Sequence, residues 1–171
     1  MWETGRLWHR GEITVAHEHF ITAVTQLSMS QLYPFLFDYQ NRKNRAVIVA
    51  CVPNELHEIG ARMIADFFEM EGWDSYFFGA NTPTSSIIKA VQDYNVEVLA
   101  LSATMTLHIP KVAELINALR RSPETAGVKI IVGGYPFNLS DGLWRKIGAD
   151  GYAASAHEGI RLAEQLTFME E

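Results

Sequence analysis

The sequence has little of what marks a secreted, membrane-spanning or nucleic-acid-binding protein. It contains one cysteine, Cys51, which excludes an internal disulfide. No apolar run approaches the ~20 residues that a membrane-spanning helix needs, and none follows a basic start. Acidic residues outnumber basic residues by 20 to 14 among 171, and the formal net charge of −6 argues against a nucleic-acid surface. We therefore expect a cytoplasmic protein that binds neither membranes nor nucleic acid directly.

The composition and the spacing of apolar residues predict an α/β fold preceded by helices. Apolar residues make up 48% of the chain and charged residues 20%, which is typical of a packed globular protein. Residues 1–40 carry apolar side chains at helical spacing, which predicts two or three helices, and the polar segment 38–45 marks the domain boundary. Residues 45–171 alternate five apolar runs with five amphipathic segments. This alternation predicts a five-stranded parallel sheet, doubly wound in the flavodoxin-like order.

Ligands of such sheets bind at the carboxyl ends of the strands, and the loop after the first strand carries the most informative residues. His57 stands two residues after Glu55, and a carboxylate can hold one imidazole nitrogen while the other binds a metal. Gly60 follows at the start of the next helix, where a small residue lets helix and strand approach. The loop therefore offers a metal ligand with its supporting carboxylate, although a single loop histidine is more often solvated or caps a helix.

The ends of the third and fourth strands add features that suit a ligand. Ser102 and Thr104 offer two hydroxyls, and Gly133 and Gly134 remove side chains where a ligand can run close to the backbone. Each feature alone is more typical of turns than of binding. Because the ends of adjacent parallel strands meet at one edge of the sheet, together they predict a binding site.

Other chemistries of α/β proteins find no support in these loops. Neither G-x-G-x-x-G nor G-x-x-x-x-G-K-[ST] follows the first strand, which argues against nucleotide binding through those motifs. A phospho-acceptor receiver domain needs an Asp after the third strand and a Lys near the fifth, where this chain has Ser102 and Ser155. Cys51 lies within an apolar strand and is expected to be a buried, inert thiol. No role is assigned to His108 or His157.

The loop motifs resemble those of a known family. Glu55-x-His57-x-x-Gly60, Ser102 and Gly133-Gly134 are similar to the Asp-x-His-x-x-Gly, Ser-x-Leu and Gly-Gly signature of cobalamin-binding domains of the methionine synthase type. The resemblance runs from about residue 45 to the end of the chain. It implies that His57 is the lower axial ligand of cobalt, that Glu55 orients it, and that Gly60 leaves space for the nucleotide tail of the cofactor.

The same resemblance implies a slot for that tail between the sheet and its helices. Ser102 and the backbone of Gly133 and Gly134 would line the slot. Thr104 stands where the family has Leu and would form one wall.

The amino-terminal segment resembles a subfamily. Trp8, followed ten residues later by Glu18 and His19, is similar to the Trp-x9-Glu-His pattern of light-sensing adenosylcobalamin regulators of the CarH type, whose helical cap covers the upper face of the corrin. The resemblance implies that Trp8 covers that face and that Glu18 and His19 contact the adenosyl group. His9 becomes a candidate upper cobalt ligand after light has removed the adenosyl group. Residues 1–40 would be a partial helical cap, and residues 45–171 the cobalamin-binding domain.

The leading functional expectation is a non-enzymatic, light-responsive adenosylcobalamin photoreceptor domain of a signalling or transcriptional regulator. One alternative is a corrinoid methyl carrier of a methyltransferase system, loaded with methylcobalamin. Another is the same fold holding heme or a linear tetrapyrrole (bilin), because aromatic residues near strand ends, such as Tyr135 and Phe137, suit a flat ligand as well as a core. The expected partners are the corrinoid cofactor and either a second copy of the chain or an output domain.

Overall fold

The computed structural model describes residues 1–36 and 42–168. The chain divides into two compact units, Met1–Phe37 and Asp38–Glu171, which are described separately. The predicted boundary at 38–45 lies partly outside the described residues. None of the helices in the described ranges combines the length and the apolar character that crossing a lipid bilayer requires.

The smaller unit contains two described helices, α1 (Trp2–His9) and α2 (Val15–Leu36). Gly11 adopts φ +73° in the turn between them, a conformation that glycine allows without strain. Thr14 caps α2, because its Oγ1 accepts a hydrogen bond from the His17 N–H at 3.4 Å while its own N–H donates to His17 Nδ1 at 3.1 Å. The sequence therefore starts α2 at a defined residue.

The larger unit is built on one parallel sheet. Its strands are β1 (Ala46–Cys51), β2 (Asp74–Gly79), β3 (Val98–Ser102), β4 (Lys129–Gly133) and β5 (Gly151–Tyr152). They are hydrogen-bonded in the order β2-β1-β3-β4-β5, with every neighbouring pair parallel. The predicted flavodoxin-like fold is therefore confirmed. In this order the chain winds to opposite sides of β1, so the loops after β1 and β3 meet at the switch point of the sheet.

Helices cover both faces of the sheet. On one face lie α3 (Ile59–Met70) and α8 (Ala156–Phe168), and on the other lie α4 (Thr84–Tyr94) and α5 (Ile109–Arg121). Alternate residues of β1 enter the two cores, so that strand is apolar throughout rather than at every second position. Two short helices, α6 (Tyr135–Leu139) and α7 (Leu143–Lys146), follow β4.

Strand β5 and helix α6 differ from the sequence-based expectation. The fifth strand is expected over 151–154 but ends at Tyr152, because the Ala154 N–H donates to Glu158 Oε2 at the start of α8 rather than to β4. Helix α6 is absent from the expectation because five residues are too few to show a helical period.

Candidate functional site

The loop after β1 buries an acidic side chain at the switch point. The Glu55 N–H donates to the Val52 carbonyl at 3.0 Å, and Asn54 adopts φ +70°, so the chain turns tightly after the strand. Asn54 is held from the next loop by a bond from its N–H to Asn81 Oδ1 at 2.8 Å. As a result the Glu55 carboxylate is fully buried, while the His57 imidazole remains 59% exposed.

The Glu55 carboxylate is surrounded by hydrogen-bond donors on both of its oxygens. Oε1 accepts from the His57 N–H at 3.0 Å and lies 2.6 Å from His57 Nδ1. Oε2 accepts from the N–H groups of Thr104 at 2.7 Å and Met105 at 3.2 Å, and lies 2.9 Å from His108 Nδ1. Burial alone would raise the pKa of Glu55, but the hydrogen bonds from His57, His108 and the backbone outweigh it and hold the pKa well below its usual range. Glu55 is therefore a buried carboxylate that stays ionised.

The ionised carboxylate fixes the tautomer of His57. Because Glu55 Oε1 can only accept, the proton of a neutral His57 ring lies on Nδ1, and the lone pair lies on Nε2. A metal would therefore bind at Nε2, the nitrogen that Glu55 does not contact. A carboxylate on the far nitrogen orients a histidine ligand and raises its basicity. The contact inferred from the two-residue spacing is present, and its role in cobalt binding stays a prediction.

His108, to which the sequence analysis assigns no role, belongs to this cluster. It ends a 3-10 turn, Thr106–His108, just before α5, and is 6% exposed. The pairing with Glu55 joins the loop after β3 to the loop after β1. The sequence contains one indication of this role of His108. A carboxylate that is buried at the switch point needs hydrogen-bond donors, and the neighbouring loop that contains His108 can supply them.

A narrow groove lies between the sheet and the α3–α8 face. Ser102 and Gly133 line it together with Ser155 and Gly159, and the rest of its lining is apolar. The apolar lining comes from the sheet, from α3 and from the residue after β5 (Val49, Ile64, Phe68, Ala100, Leu101, Ile131, Val132, Ala153). The groove holds about 30 Å³, room for one or two water molecules, so a larger ligand requires its walls to move.

The other predicted slot residues have different surroundings. Thr104 is not among the residues that line this groove, and its N–H is used by Glu55. Gly134 has φ +107°, and a Cβ there would lie 2.1 Å from the Ala103 carbonyl oxygen, so the packing of the chain itself requires this glycine. A Cβ added at Gly60 would meet nothing within 4 Å. The structure therefore brings Ser102 and Gly133 together in one groove and leaves Thr104, Gly60 and Gly134 outside its lining.

The predicted residues of the smaller unit lie on its two helices. Trp8, 48% exposed, and His9 end α1 with ring centroids 5.9 Å apart. Glu18 and His19 lie in the first turns of α2, where His19 Nδ1 is 2.7 Å from Glu18 Oε2 and Thr22 Oγ1 donates to Glu18 Oε1 at 2.8 Å. These contacts are internal to the unit, and the roles predicted for the four residues stay predictions.

Two further expectations concern individual side chains. Cys51 is fully buried, as expected, and burial raises the pKa of its thiol to about 12. Of the aromatic residues considered for a flat ligand, Phe137 is buried in the core and Tyr135 is 55% exposed.

Comparisons with known proteins agree on one family. A family model described as B12 binding domain matches residues 45–161, and a second model with the same description matches residues 1–33. Dimethylamine corrinoid protein 1 of Methanosarcina acetivorans is 26% identical over 166 residues, which cover 96% of this chain and 76% of that protein.

Two solved structures resemble the chain. A cobalamin-binding protein from Desulfitobacterium hafniense is 25% identical with a TM-score of 0.68. The monomethylamine corrinoid protein of Methanosarcina barkeri is 23% identical with a TM-score of 0.79, a likeness of fold. Both alignments cover 95% of this chain and 76% of the other. The descriptions of these proteins name corrinoid or cobalamin binding and not light sensing.

Proposed function

Because the chain belongs to the family of B12-binding domains, we propose that it is a corrinoid methyl carrier, which holds cobalamin and passes a methyl group between partner enzymes. The observation that carries this proposal is the similarity to a dimethylamine corrinoid protein over 96% of the chain. From the same similarity we infer that the methyl donor belongs to the class of methylated amines. The chain itself holds the methyl group, and separate methyltransferases load and unload it.

The Glu55 cluster fits a corrinoid. When bound, cobalamin supplies a cobalt ion that accepts and releases the methyl group. The exposed His57 ring would hold the cobalt ion through Nε2, and the buried carboxylate of Glu55 lies 2.6 Å from the other nitrogen. His108 and the N–H groups of Thr104 and Met105 fix Glu55 in turn. A ring held from two loops loses little orientational freedom when it binds a metal, which favours binding.

We assign the nucleotide tail to the groove on the α3–α8 face, which must widen to admit it. Ser102 and Gly133 lie at the carboxyl ends of β3 and β4, the edge of the sheet that also carries His57. Gly133 and Gly159 have no side chains that would project into the groove, whereas the side chains of Ile64 and Phe68 narrow it. Entry of the tail therefore requires α3 or its side chains to move outward. Gly60, with open space around its Cβ position, is kept as a clearance residue.

The smaller unit keeps the upper-face role that the resemblance implies. We assign Trp8, Glu18 and His19 to the face of the corrin that carries the methyl group. The specificity for adenosylcobalamin that the sequence analysis expects is not retained. The role of His9 as an upper cobalt ligand after illumination is proposed only if the chain is a photoreceptor, and His9 has no assigned role in the methyl carrier.

A light-responsive adenosylcobalamin sensor is the second candidate. The spacing of Trp8, Glu18 and His19 favours it, since this pattern resembles that of the CarH-type regulators. The relatives named above favour the carrier instead. The matches give no support to heme or to a linear tetrapyrrole, and neither is proposed.

Retention and demethylation of methylcobalamin distinguish the two candidates. The chain is loaded in the dark with methylcobalamin or adenosylcobalamin and passed through a desalting column. The carrier proposal predicts that methylcobalamin is retained and that it is demethylated by a thiol acceptor in the presence of a corrinoid-dependent methyltransferase. Retention of adenosylcobalamin only, with a change in hydrodynamic radius on green illumination, would favour the sensor.

A further inference from the structure

Four of the six exposed large apolar residues of α2 form a stripe along one side of the helix, and the other two, Val15 and Leu32, lie outside it. Phe20 is 69% exposed, Val24 44%, Leu27 60% and Phe35 85%. With 3.6 residues per turn these four side chains fall within about 80° of one another around the helix. The less exposed positions of α2, including Thr22 and Thr25 as well as Glu18 and Met29, lie on the opposite side. We call Phe20, Val24, Leu27 and Phe35 the α2 stripe.

The α2 stripe lies on a helix that lacks the charges of a solvent-facing surface. Residues 20–35 contain no Asp, Glu, Lys, Arg or His. A helix that is uncharged all round is normally covered, because contiguous apolar patches of more than a few hundred Å² are uncommon on monomers. Residues 1–36 hold two arginines and three glutamates, so the negative charge of the chain lies mostly in the other unit. Two copies of this surface can therefore meet with little repulsion.

Part of the stripe has the spacing of a helix pair. Phe20, Val24 and Leu27, followed by the polar Gln31, stand at intervals of four, three and four residues, the repeat of a two-helix seam. Phe35 lies on the same side of the helix, four residues beyond Gln31. A β-branched residue alternating with Leu suits two helices, and a single polar residue such as Gln31 sets the register of such a seam. We propose that the α2 stripe is the contact between two copies of this chain, which pair through α2.

The area of the stripe agrees with a reversible dimer. Phe20 and Phe35 each leave roughly 100–200 Å² exposed, because an aromatic side chain carries about 150–250 Å². With Val24 and Leu27 the stripe offers roughly 500 Å² per copy, somewhat less than the roughly 600–1,000 Å² that each partner contributes to a standard interface. A second copy presents the same uncharged surface in the same register, so it fits without a further partner. We therefore expect a dimer that dissociates on dilution.

Sedimentation velocity of the cofactor-free full chain over a range of concentrations tests the proposal without depending on the proposed function. We expect a monomer–dimer equilibrium that Leu27→Glu shifts at least tenfold towards monomer. The matched control is Leu139→Glu in the larger unit, because Leu139 is 65% exposed against 60% for Leu27. A monomeric wild type at every concentration, or a dimer that Leu27→Glu leaves intact, would overturn the proposal.

A cysteine variant tests the contact directly and does not depend on a disruptive charge. The only native cysteine, Cys51, is fully buried, so the thiol of Leu27→Cys is the one exposed thiol. With dissolved oxygen and a copper catalyst, two such thiols in a pair lose two electrons and two protons to form an intermolecular disulfide. We expect a covalent dimer from Leu27→Cys and little from Leu139→Cys. Equal yields from the two variants would contradict pairing through α2.

Discussion

Glu55 and His108 are separated by 53 positions in the sequence, yet Oε2 of the carboxylate lies 2.9 Å from Nδ1 of the imidazole. Both side chains are buried. The pair joins the loops that follow β1 and β3, which meet at the switch point, and the other oxygen of the same carboxylate contacts His57. His57 is therefore positioned through Glu55 by a residue of a different loop.

We expect His108→Phe to lower the free energy of unfolding by about 1–3 kcal/mol, because it removes a donor from a buried carboxylate. His108→Gln keeps an N–H donor and should recover part of the loss. Urea unfolding monitored by circular dichroism measures both. His157→Phe is the control, since His157 is exposed and contacts Phe67 rather than Glu55. Equal losses in His108→Phe and His157→Phe would contradict the positioning role.

Glu55→Gln should destabilise the fold more than His108→Phe does. The amide has one acceptor oxygen, whereas the carboxylate accepts from donors on both oxygens, so the NH₂ group must face N–H groups on one side. We expect a loss of about 2–4 kcal/mol in urea unfolding. Glu114→Gln, at a surface carboxylate paired with Lys111, should change stability by less than about 1 kcal/mol. A Glu55→Gln variant as stable as wild type would exclude an ionised Glu55.

The same carboxylate predicts a pH dependence. Because hydrogen bonds lower the pKa of Glu55 below 4.5 in the folded state, its contribution to stability is present above pH 4.5 and is lost as the pH falls further. The difference in unfolding free energy between wild type and Glu55→Gln should therefore be constant near neutral pH and shrink in acid. Denaturant titrations at several pH values measure this difference. A difference in unfolding free energy that grows as the pH falls would contradict a lowered pKa of Glu55.

Cys51 should resist thiol reagents in the folded state. Burial is the main cause that raises the pKa of its thiol from 9.0 to about 12, with smaller contributions from Glu55 and Glu58. At pH 8 we expect no reaction with Ellman's reagent until denaturant is added. The raised pKa also means that this thiol contributes stability below pH 9, which is lost as the pH rises towards 12. Fast labelling of Cys51 in the folded protein would show that its thiol is not buried.

A side chain that fills the groove should weaken binding of the nucleotide tail and leave binding of the rest of the corrinoid unchanged. Gly159→Leu adds a side chain where Gly159 lines the groove, and it replaces glycine within α8, so helix stability is not reduced. We expect at least tenfold weaker binding of cobalamin and unchanged binding of cobinamide, which lacks the nucleotide tail. Gly127→Leu, at a position with no neighbour within 4 Å, is the control. Equal weakening of both ligands would contradict the assignment of the groove.

The sequence alone predicts the sheet and half of the Glu55 cluster. Five apolar runs separated by amphipathic helices permit few arrangements, so the strand order follows from topology rules. The contact between Glu55 and His57 follows from a two-residue spacing in one loop. His108 is not predictable in this way, because its contact with Glu55 depends on how two distant loops meet.

The expectation of a light sensor illustrates a second limit. We propose that Trp8, Glu18 and His19 cover a corrin face, but their spacing does not determine which group the cobalt carries on that face. Similarity over the whole chain, rather than the local pattern, favours methyl transfer. At Gly134 the sequence pattern suggested a ligand contact, but the close approach of the Ala103 backbone already requires a glycine there without any ligand.

The proposed binding of cobalt by His57 can be tested from the visible absorption spectra of wild type and His57→Ala, each loaded with methylcobalamin. We expect wild type to bind methylcobalamin with the spectrum of a histidine-ligated form, and His57→Ala to show a spectrum without a lower nitrogen ligand and at least tenfold weaker binding. His157→Ala should match wild type. Identical spectra and affinities for wild type and His57→Ala would show that His57 does not bind the cobalt.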